Sequence, residues 1–414
     1  MIPNAITQEI KLADGRTITI ETGKLAKQAD GSVVVRMGDT MLLATVVSNK
    51  EAMEGIDFLP LTVDYREKFA AAGRYPGGFF KREARPSDGE VLTMRLVDRV
   101  LRPLFPKDYH AETQIMIQLM SHDEDVMPDA MAGLAASAAI QLSDAPFECP
   151  ISEVRVGRVD GEFVINPTYE QLENSDMDLI VSGTEDSIAS VEGGAHEVSE
   201  EELIQGLEFG HEAIKNLVAF QLQLIEAVGK PKLEVEQETP NEELIKAVGD
   251  FASEKVKEAN RTEGKEERES LISDLTSTTQ EGLAESFPEH EKEISDAVYE
   301  LVKADMRNMI IKEKRRIDGR ALDEVRSVTC ETQLLPRTHG SALFTRGQTQ
   351  ALCTATLGTK MDERMVDDLH GKRFKSYYLD YNFPAFSVGE VKFERGPGRR
   401  DIGHGHLAER AIEP

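Results

Sequence analysis

Two adjacent arginines and a histidine near the end of the chain are residue types that bind anions. Arg399 and Arg400 lie between Gly398 and Gly403, and His404 follows directly. Guanidinium groups suit phosphate because their forked donors match its oxygens, and glycines let the backbone approach a ligand closely. An isolated arginine pair at a turn is more often simply solvated, so this pattern alone leaves both interpretations open.

A second cluster combines aromatic and basic side chains on a glycine-led loop. Phe79, Phe80, Lys81 and Arg82 follow a Gly-Gly pair. Rings that stack on bases contribute ~1–3 kcal/mol each to the binding of single-stranded RNA, while cations hold the RNA backbone. The alternative is that both rings belong to the core, but two adjacent side chains on such a loop seldom both point inward. The loop therefore predicts an RNA contact.

Three arginines recur along the helix that is predicted to follow this loop. Arg95, Arg99 and Arg102 are spaced i, i+4 and i+7, which places them on one stripe of the helix surface. In one interpretation the stripe contacts RNA or phosphate; in the other it forms ion pairs, and the two are equally favoured. The carboxylates available for such pairs are Glu83, Asp88 and Asp98.

The elements that must position these residues occur twice along the chain. A Gly-Ser pair, a Gly-x-Thr turn and an apolar run keep one register in residues 31–47 and 340–357. A later match relates residues 98–103 to residues 409–414. Internal repetition of this kind predicts two domains of one fold. Because the second copy stops at Pro414 in a predicted helix, we interpret the chain as a fragment of a longer protein.

Composition limits the class of protein. A formal charge of −27 over 414 residues, 30% of them charged, describes a globular chain that does not bind nucleic acid indiscriminately. The charge is uneven, because residues 71–107 hold 8 basic and 4 acidic side chains whereas residues 234–300 hold 7 basic and 20 acidic ones. No apolar run approaches the ~18 residues of a membrane span, and three scattered cysteines suit a reducing compartment. We expect a cytoplasmic protein without a membrane contact.

Short β-branched strands alternate with capped helices on both sides of a purely helical segment. The Ser87-x-x-Glu90 pattern, for example, predicts a helix that begins with a capping box. The sequence thus predicts an α/β (α+β) protein of three domains. These are a first α/β domain over residues 1–235, an acidic all-helical domain over residues 236–310 and a second, truncated α/β domain over residues 311–414.

The order of these motifs resembles that of bacterial polynucleotide phosphorylases over the whole chain. The resemblance rests on the Gly-Gly-Phe-Phe-Lys-Arg-Glu loop, the arginine helix, the Asp-Gly-Arg motif at 318–320 and the Gly-Arg-Arg-Asp-Ile-Gly-His-Gly motif at 398–405. It implies duplicated ribonuclease-PH-like domains (ribosomal protein S5 domain 2-like) joined by a helical domain. It also implies a homotrimeric ring that degrades single-stranded RNA from the 3′ end. Inorganic phosphate would attack, nucleoside diphosphates would be released, and the reaction would be reversible.

The resemblance also assigns roles to residues. In the family the arginine pair and the histidine lie at the phosphate site, which implies phosphate binding by Arg399, Arg400 and His404. The family's aromatic loop lines the central channel of the ring, usually with an arginine in place of Lys81, so the resemblance assigns RNA binding to this loop. The residues assigned to RNA are Phe79, Phe80, Lys81, Arg82, Arg95 and Arg99.

The first copy is interpreted as catalytically silent. The family's catalytic copy carries Asp-x-x-x-Asp-x-Asp-x-Lys, and the matching stretch here has Leu172 for the first acid and Ile180 for the lysine. Asp176 and Asp178 remain and are predicted to be turn residues, while Asp129 falls where the family has a phosphate-binding serine pair. We therefore expect no metal site in this chain, with the Mg²⁺ ligands beyond Pro414.

Two other functions stay open. A non-catalytic RNA-channel or ring-scaffold subunit would share the loop and helix but would have a second copy without the metal aspartates. A hydrolytic nuclease would need a clustered carboxylate metal site, and the sequence shows none. The resemblance also implies partners from an RNA-degradation complex, although the sequence does not identify them.

Overall fold

The computed structural model describes residues 5–235, 239–369 and 371–413. Their contacts form two compact units, one made of residues 5–235 with the described residues from 359 onward and the other of residues 239–358. This division places residues 311–358 with the helical segment. The three predicted domains and their boundaries stay a prediction. Among the described helices, none combines the length and hydropathy that a membrane crossing requires.

A six-stranded sheet is the base of the first unit. The strands are β1 (Ile6–Lys11), β2 (Thr17–Thr22), β3 (Gly31–Met37), β4 (Thr40–Ser48), β5 (Leu61–Glu67) and β6 (Thr113–Ser121). Their order is β1-β2-β3-β4-β6-β5, with β5 parallel to β6 and the other neighbours antiparallel. Helix α1 (Asp88–Leu101) packs on β5, and the alanine-rich α2 (Ala132–Leu142) packs on β3 and β4.

A second sheet of the first unit shares one core with the six-stranded sheet. Its elements are β7 (Ser152–Val159), β8 (Glu162–Ile165), α3 (Tyr169–Glu173), β9 (Met177–Gly183), β10 (Ile188–Ala195) and α4 (Glu200–Val228). The strand order is β10-β9-β7-β8, and α4 packs on β7 and β9. Buried side chains from both sheets and from α2 and α4 form a single apolar cluster. This core fixes the sheets relative to each other.

The second unit joins a three-helix group to a small sheet. Its elements are α5 (Glu242–Asn260), α6 (Lys265–Leu283), α7 (Glu291–Asn308), β11 (Val328–Thr332), β12 (Gly340–Arg346) and β13 (Thr349–Ala355). Helices α5 and α7 bury Leu244, Val248, Ile294 and Val298 between them. The helices are acidic outside this seam because their charged residues lie on the solvent side of amphipathic patterns.

The hairpins β3–β4 and β12–β13 have the same register. Gly31 pairs with Val46 and Met37 with Thr40 in the first hairpin. In the second, Gly340 pairs with Ala355 and Arg346 with Thr349. The matching Gly-Ser and Gly-x-Thr segments of the sequence therefore occupy equivalent positions in two hairpins.

The last part of the chain returns to the first unit. It contains β14 (Arg364–Asp368), β15 (Gly371–Lys375) and α8 (Arg399–Ile412). Helix α8 packs against α1. A 3₁₀ turn precedes each of these two helices and ends at a left-handed glycine, Gly73 at φ 66° and Gly389 at φ 72°. The repeat thus extends beyond the hairpins to the turns that lead into α1 and α8.

Candidate active site

The arginine pair lies in the first turn of α8. Gly398 is the N-cap, and its N–H donates to the Asp401 carboxylate at 2.7 Å. Arg399 and Arg400 are both exposed. Free backbone N–H groups and the helix dipole favour an anion at this end. The Asp401 carboxylate already accepts a hydrogen bond from one of these N–H groups and neutralises part of the positive end of the helix dipole.

The two arginines have different surroundings. Arg399 donates from Nη1 to the Val63 carbonyl oxygen at 2.7 Å and from Nη2 to Asp64 Oδ1 at 2.5 Å, both on β5. In the described part of the chain, no carboxylate forms an ion pair with Arg400. His404, one turn further, has its ring 5.4 Å from the ring of Tyr381. Arg400 is thus the guanidinium that remains available to an anion.

Helices α1 and α8 cross closely because α8 has glycine at the contact. A Cβ added to Gly403 would overlap Nε of Arg95 and lie 2.8 Å from its Cζ. A Cβ added to Gly405 would lie 3.3 Å from the Cβ of Tyr381. Arg95 therefore lies flat across the backbone of α8, within one helical turn of the arginine pair.

An ion pair links α1 to the β14–β15 hairpin. Asp88, the first residue of α1, pairs with Arg364 at 2.8 Å, and Arg364 lies 4.0 Å from Asp380. Arg74 donates to the carbonyl oxygens of Asp368 and Leu369 at 3.0 and 3.1 Å. These contacts tie the β14–β15 hairpin to the first copy.

A cavity of about 420 Å³ opens beside α8. Residues that line it include Asp88, Arg364, Lys375, Tyr381, Asp401 and His406. Both signs of charge are present, and Arg399, Arg400 and His404 are not among the lining residues. Burial, with the nearby Arg410, lowers the pKa of His406. The predicted phosphate residues therefore border this cavity without forming its wall.

The aromatic loop is almost completely exposed. The exposed fractions of Phe79 and Phe80 are 93% and 87%, and the two rings meet edge to face at 5.4 Å. Lys81 has a left-handed backbone at φ 51°, and Arg82 is exposed. The alternative that both rings belong to the core is wrong. The side chains are presented to solvent in the way that stacking on bases requires.

The arginine stripe on α1 is occupied by protein partners. Arg99 lies 3.1 Å from Glu192 of β10, and Arg102 pairs with Asp98 at 2.6 Å. Arg95 lies across α8 as described above. Of the two interpretations that were left open, the ion-pair one describes Arg99 and Arg102 in this structure, and the RNA role of Arg95 and Arg99 stays a prediction.

The acids of the first copy are neutralised by arginines. Arg155, whose side chain is 12% exposed, bridges Asp129 at 2.5 Å and Asp178 at 2.6 Å. Burial lowers the pKa of Arg155, but the two carboxylates more than offset this and raise it above its usual value. Arg158 pairs with Asp176 at 2.6 Å and, by donating hydrogen bonds to it, keeps the pKa of that carboxyl low. These carboxylates are consequently committed to internal cations.

One detail differs from the sequence prediction for these acids. Asp176 precedes β9, but Asp178 lies within it, paired with Gly157 of β7 and Gly194 of β10. The prediction of a turn is wrong for Asp178. A carboxylate is tolerated there because glycines flank it across the sheet and Arg155 neutralises it.

The sequence predicts that the Mg²⁺ ligands lie outside the described residues. Among the described residues, no group of three or more His, Cys, Asp and Glu side chains is arranged to hold a metal ion. Pro414, beyond which the sequence predicts the Mg²⁺ ligands, itself lies outside the described residues, which end at Glu413. The position of the metal site therefore stays a prediction.

Sequence reasoning missed the partners of the predicted site residues. Asp64, Tyr381 and Arg155 were not singled out, although each contacts a residue that was. One signal was available, since the Asp-Tyr pair at 64–65 recurs at 380–381 within the repeat. The remaining contacts depend on packing between distant segments and leave no local pattern.

Comparison with known families gives a consistent assignment. The profile of the 3′ exoribonuclease family, domain 1, matches residues 14–146 and again residues 324–414. Domain 2 of that family matches residues 149–213. The polyribonucleotide nucleotidyltransferase RNA binding domain matches residues 243–321. The predicted duplication, with a helical domain between the copies, is confirmed.

Curated relatives are identical to this chain at about half of the aligned positions. The polyribonucleotide nucleotidyltransferase of Christiangramia forsetii is 56% identical over 420 aligned positions, which cover 100% of this chain and 55% of the relative. That of Bacteroides fragilis is 53% identical over 416 positions, covering 99% of this chain and 58% of the relative. Rice (Oryza sativa) Rrp46, a solved structure, aligns with 55% of this chain and 96% of its own at a TM-score of 0.41 and 14% identity. The chain thus spans a little over half the length of these two curated relatives.

Proposed function

Because the chain belongs to the 3′ exoribonuclease family, we propose that it takes part in phosphorolytic degradation of RNA from the 3′ end. Inorganic phosphate attacks the terminal phosphodiester, and a nucleoside diphosphate leaves. The reverse reaction adds nucleotides to an RNA end. The name of its relatives, polyribonucleotide nucleotidyltransferase, supports this activity.

The observation that carries the RNA part of this proposal is the exposed aromatic loop. Large apolar side chains at 93% and 87% exposure are costly unless they meet a partner. Phe79 and Phe80 stand beside Lys81 and Arg82, so rings and cations are offered together. Single-stranded RNA has the matching chemistry, with faces of bases for the rings and phosphates for the cations.

Arg399, Arg400 and His404 are proposed to hold the phosphate. Phosphorolysis brings two anions together, so a large part of its barrier is electrostatic repulsion that fixed cations reduce. The first two turns of α8 present these side chains from a capped, packed helix rather than from a loop. A rigid support of this kind keeps the cations in place during the reaction.

Enzymes of this family use a divalent metal, and we assign that role to Mg²⁺. The described residues of this chain do not fit it, because no cluster of three or more metal-ligating side chains is present among them and Asp129, Asp176 and Asp178 are paired with arginines. We propose that the metal ligands belong to the part of the relatives' length that this chain does not span.

The remaining features of the proposal follow the family. We assign a homotrimeric ring in the cytoplasm, with single-stranded RNA as substrate and with partners from an RNA-degradation complex. The acidic helices α5 to α7, which lie in the part matched to an RNA binding domain, would repel RNA from most of their surface. The aromatic loop would then be the principal RNA contact of this chain.

An RNA-binding experiment tests the proposal. Replacing Phe79, Phe80, Lys81 and Arg82 with alanine should weaken binding of a single-stranded oligo(A) by about tenfold or more, because stacking contributes ~1–3 kcal/mol per base. The slope of log affinity against log salt should also flatten, because two fewer cations release counterions. Fluorescence anisotropy at several salt concentrations measures both. The matched control removes a basic pair elsewhere, Lys24 and Arg36, and should leave affinity and slope almost unchanged.

A non-catalytic RNA-channel subunit is the second candidate. The pairing of Asp129, Asp176 and Asp178 with arginines favours it for the first copy taken alone. Both candidates predict the same RNA binding, so nucleoside diphosphate release is the measurement that separates them. If a version with a complete second copy releases none, the scaffold function is the correct one.

A further inference from the structure

The two arginines at the start of α8 are used differently, and the difference lies in the geometry of Arg399. Its guanidinium donates from Nη1 to the Val63 carbonyl oxygen at 2.7 Å and from Nη2 to Asp64 Oδ1 at 2.5 Å. The Asp64 side chain is 13% exposed and the Arg399 side chain 43% exposed. Both terminal nitrogens of this guanidinium thus already donate to protein acceptors, which fixes its orientation.

The partner of Arg399 is itself fixed. Val63 and Asp64 belong to β5, which is paired with β6 inside the six-stranded sheet. Arg66, two residues on, lies 3.7 Å from the same Asp64 oxygen. Asp64 is therefore an anchor on a rigid element rather than a mobile surface carboxylate.

One further contact acts on the same helix, and another acts on the hairpin that precedes it in the chain. Arg95 of α1 lies flat across Gly403, and Asp88 of α1 holds Arg364, near the start of β14. The Arg399 pair and Arg95 thus hold the N-terminal half of α8 against the first copy, and the Asp88–Arg364 pair holds the β14–β15 hairpin to it. Arg400 has no such contact among the described residues and is exposed.

We propose that Arg399 is a positioning residue, which anchors α8 to Asp64 of the first copy so that Arg400 and His404 are the groups that contact phosphate. This inference rests on the proposed function, since it divides roles within the proposed phosphate site. It assigns the first copy a mechanical part in the chemistry of the second.

The two possible roles of Arg399 predict opposite effects of one substitution on phosphate binding. If Arg399 is an anchor, replacing Asp64 with alanine lets the first turn of α8 move and weakens phosphate binding. If Arg399 is instead a phosphate ligand, the same replacement frees its guanidinium and removes a nearby negative charge, which strengthens phosphate binding. One substitution therefore separates the two roles.

The experiment is a titration of the 414-residue chain with inorganic phosphate by isothermal titration calorimetry at fixed ionic strength. The variants are Asp64→Ala, Arg399→Gln, their double variant and Arg400→Ala. Asp39→Ala is the control for the change in net charge, since Asp39 pairs with Arg36 at a distant exposed turn. We expect Asp64→Ala and Arg399→Gln each to weaken phosphate binding about fivefold, the scale of one partly exposed ion pair.

The double variant tests whether the two residues act through each other. If they form one anchor, its loss should be no greater than that of either single variant, because the interaction is already gone. A charge-swapped pair, Asp64→Arg with Arg399→Asp, should recover most of the lost affinity, which a phosphate ligand at position 399 could not do. Circular dichroism melts identify any variant that fails to fold, and Asp64→Asn then replaces Asp64→Ala.

The outcomes distinguish this inference from the function on which it rests. Stronger phosphate binding by Asp64→Ala, or additive losses in the double variant, overturns the anchor role while leaving the phosphate site intact. If Arg400→Ala binds phosphate as well as the unmodified chain does, the proposed phosphate site itself is wrong. Weakening by Asp64→Ala together with recovery by the swapped pair supports the anchor.

Discussion

The hairpins β3–β4 and β12–β13 have identical pairing and opposite surroundings. In the first, Val33, Val35 and Met37 are buried against α2 and the core. In the second, every residue of β13 is exposed. Strand β4 has β6 on its other edge, whereas β13 has no strand on its other edge among the described residues. Register is therefore encoded within the hairpin, while burial depends on the layers that are added to it.

The two copies differ in chemistry as well. In the first copy, the carboxylates of Asp129, Asp178 and Asp176 are neutralised by Arg155 and Arg158. Their charges are therefore satisfied within the protein. In the second, Arg400 is left exposed and without a carboxylate partner in the described residues. Duplication thus produced one copy whose polar groups support the fold and one whose cations remain available.

The largest expected effect concerns catalysis. Catalytic activity of the first copy would contradict the difference in chemistry between the two copies. Purified 414-residue chain, incubated with poly(A), phosphate and Mg²⁺, should release no ADP, because the described residues supply no metal site to stabilise the developing charge. A fusion to the remaining C-terminal part of the Christiangramia forsetii relative should release at least about a thousandfold more. Chromatography of the nucleotides measures this.

Two controls keep the catalytic test interpretable. Arg400→Ala in the fusion should lower ADP release by about a hundredfold, the scale of losing a preorganised charge at a reacting phosphate. Robust ADP release by the unfused chain, in a preparation free of host enzyme, would contradict this prediction. It would show that the first copy, or Arg399, Arg400 and His404 alone, suffices for catalysis.

The next effect is on stability in the first copy. Arg155→Ala leaves Asp129 and Asp178 without their shared cation and should cost about 2–4 kcal/mol in the free energy of unfolding. Arg36→Ala, which breaks the exposed pair with Asp39, should cost at most about 1 kcal/mol. Urea denaturation compares the two. Equal costs would mean that Arg155 does not neutralise a structurally important pair of acids.

Equivalent positions of the two hairpins sharpen the comparison further. Val35→Ala in β3 should cost about 2 kcal/mol, because a fully buried side chain leaves a cavity. Phe344→Ala at the equivalent place in β12 should cost less than about 1 kcal/mol although it removes a larger side chain, because Phe344 is 40% exposed. Hydrogen exchange of the strand amides measures each hairpin separately. The reverse order of costs would contradict the burial difference.

The smallest expected effect is a pH dependence from the fully buried Glu153. Burial raises its pKa to about 7, although a hydrogen bond from Ser182 opposes this. A carboxyl whose folded-state pKa is raised stabilises the fold below its unfolded pKa, and that contribution is lost as the pH rises through about 7. Glu153→Gln stays neutral, so it should be more stable than the unmodified chain by about 1–2 kcal/mol at pH 8.

At pH 5 the two proteins should be nearly equal, because Glu153 is then protonated. Thermal melts across this range measure the difference, and Glu162→Gln at an exposed position of β8 is the matched control. A stability difference that does not change between pH 5 and pH 8 would show that Glu153 does not titrate in this window.

The sequence predicted the duplication because its signal is local. The Gly-x-Thr turn and the alternating apolar residues fix the pairing of β3–β4 and β12–β13 wherever those hairpins lie. The Asp64–Arg399 pair was not predictable in this way, because its partners are 335 residues apart and meet only through packing of α8 on the first copy. The exposure of Phe79 and Phe80 was predictable, since their glycine-led loop offers no place in the core.

The first residue of α1 is Asp88 and that of α8 is Arg399, so equivalent positions carry opposite charges. A pair of identical ancestral copies would have set equal charges at both places. Each helix now pairs with a residue of opposite sign in the other copy, Asp88 with Arg364 and Arg399 with Asp64. Replacing Asp88 with arginine, or Arg399 with aspartate, would place like charges together. The two copies have therefore diverged in a mutually dependent way. Neither can now take the other's residue at this helix start without electrostatic repulsion.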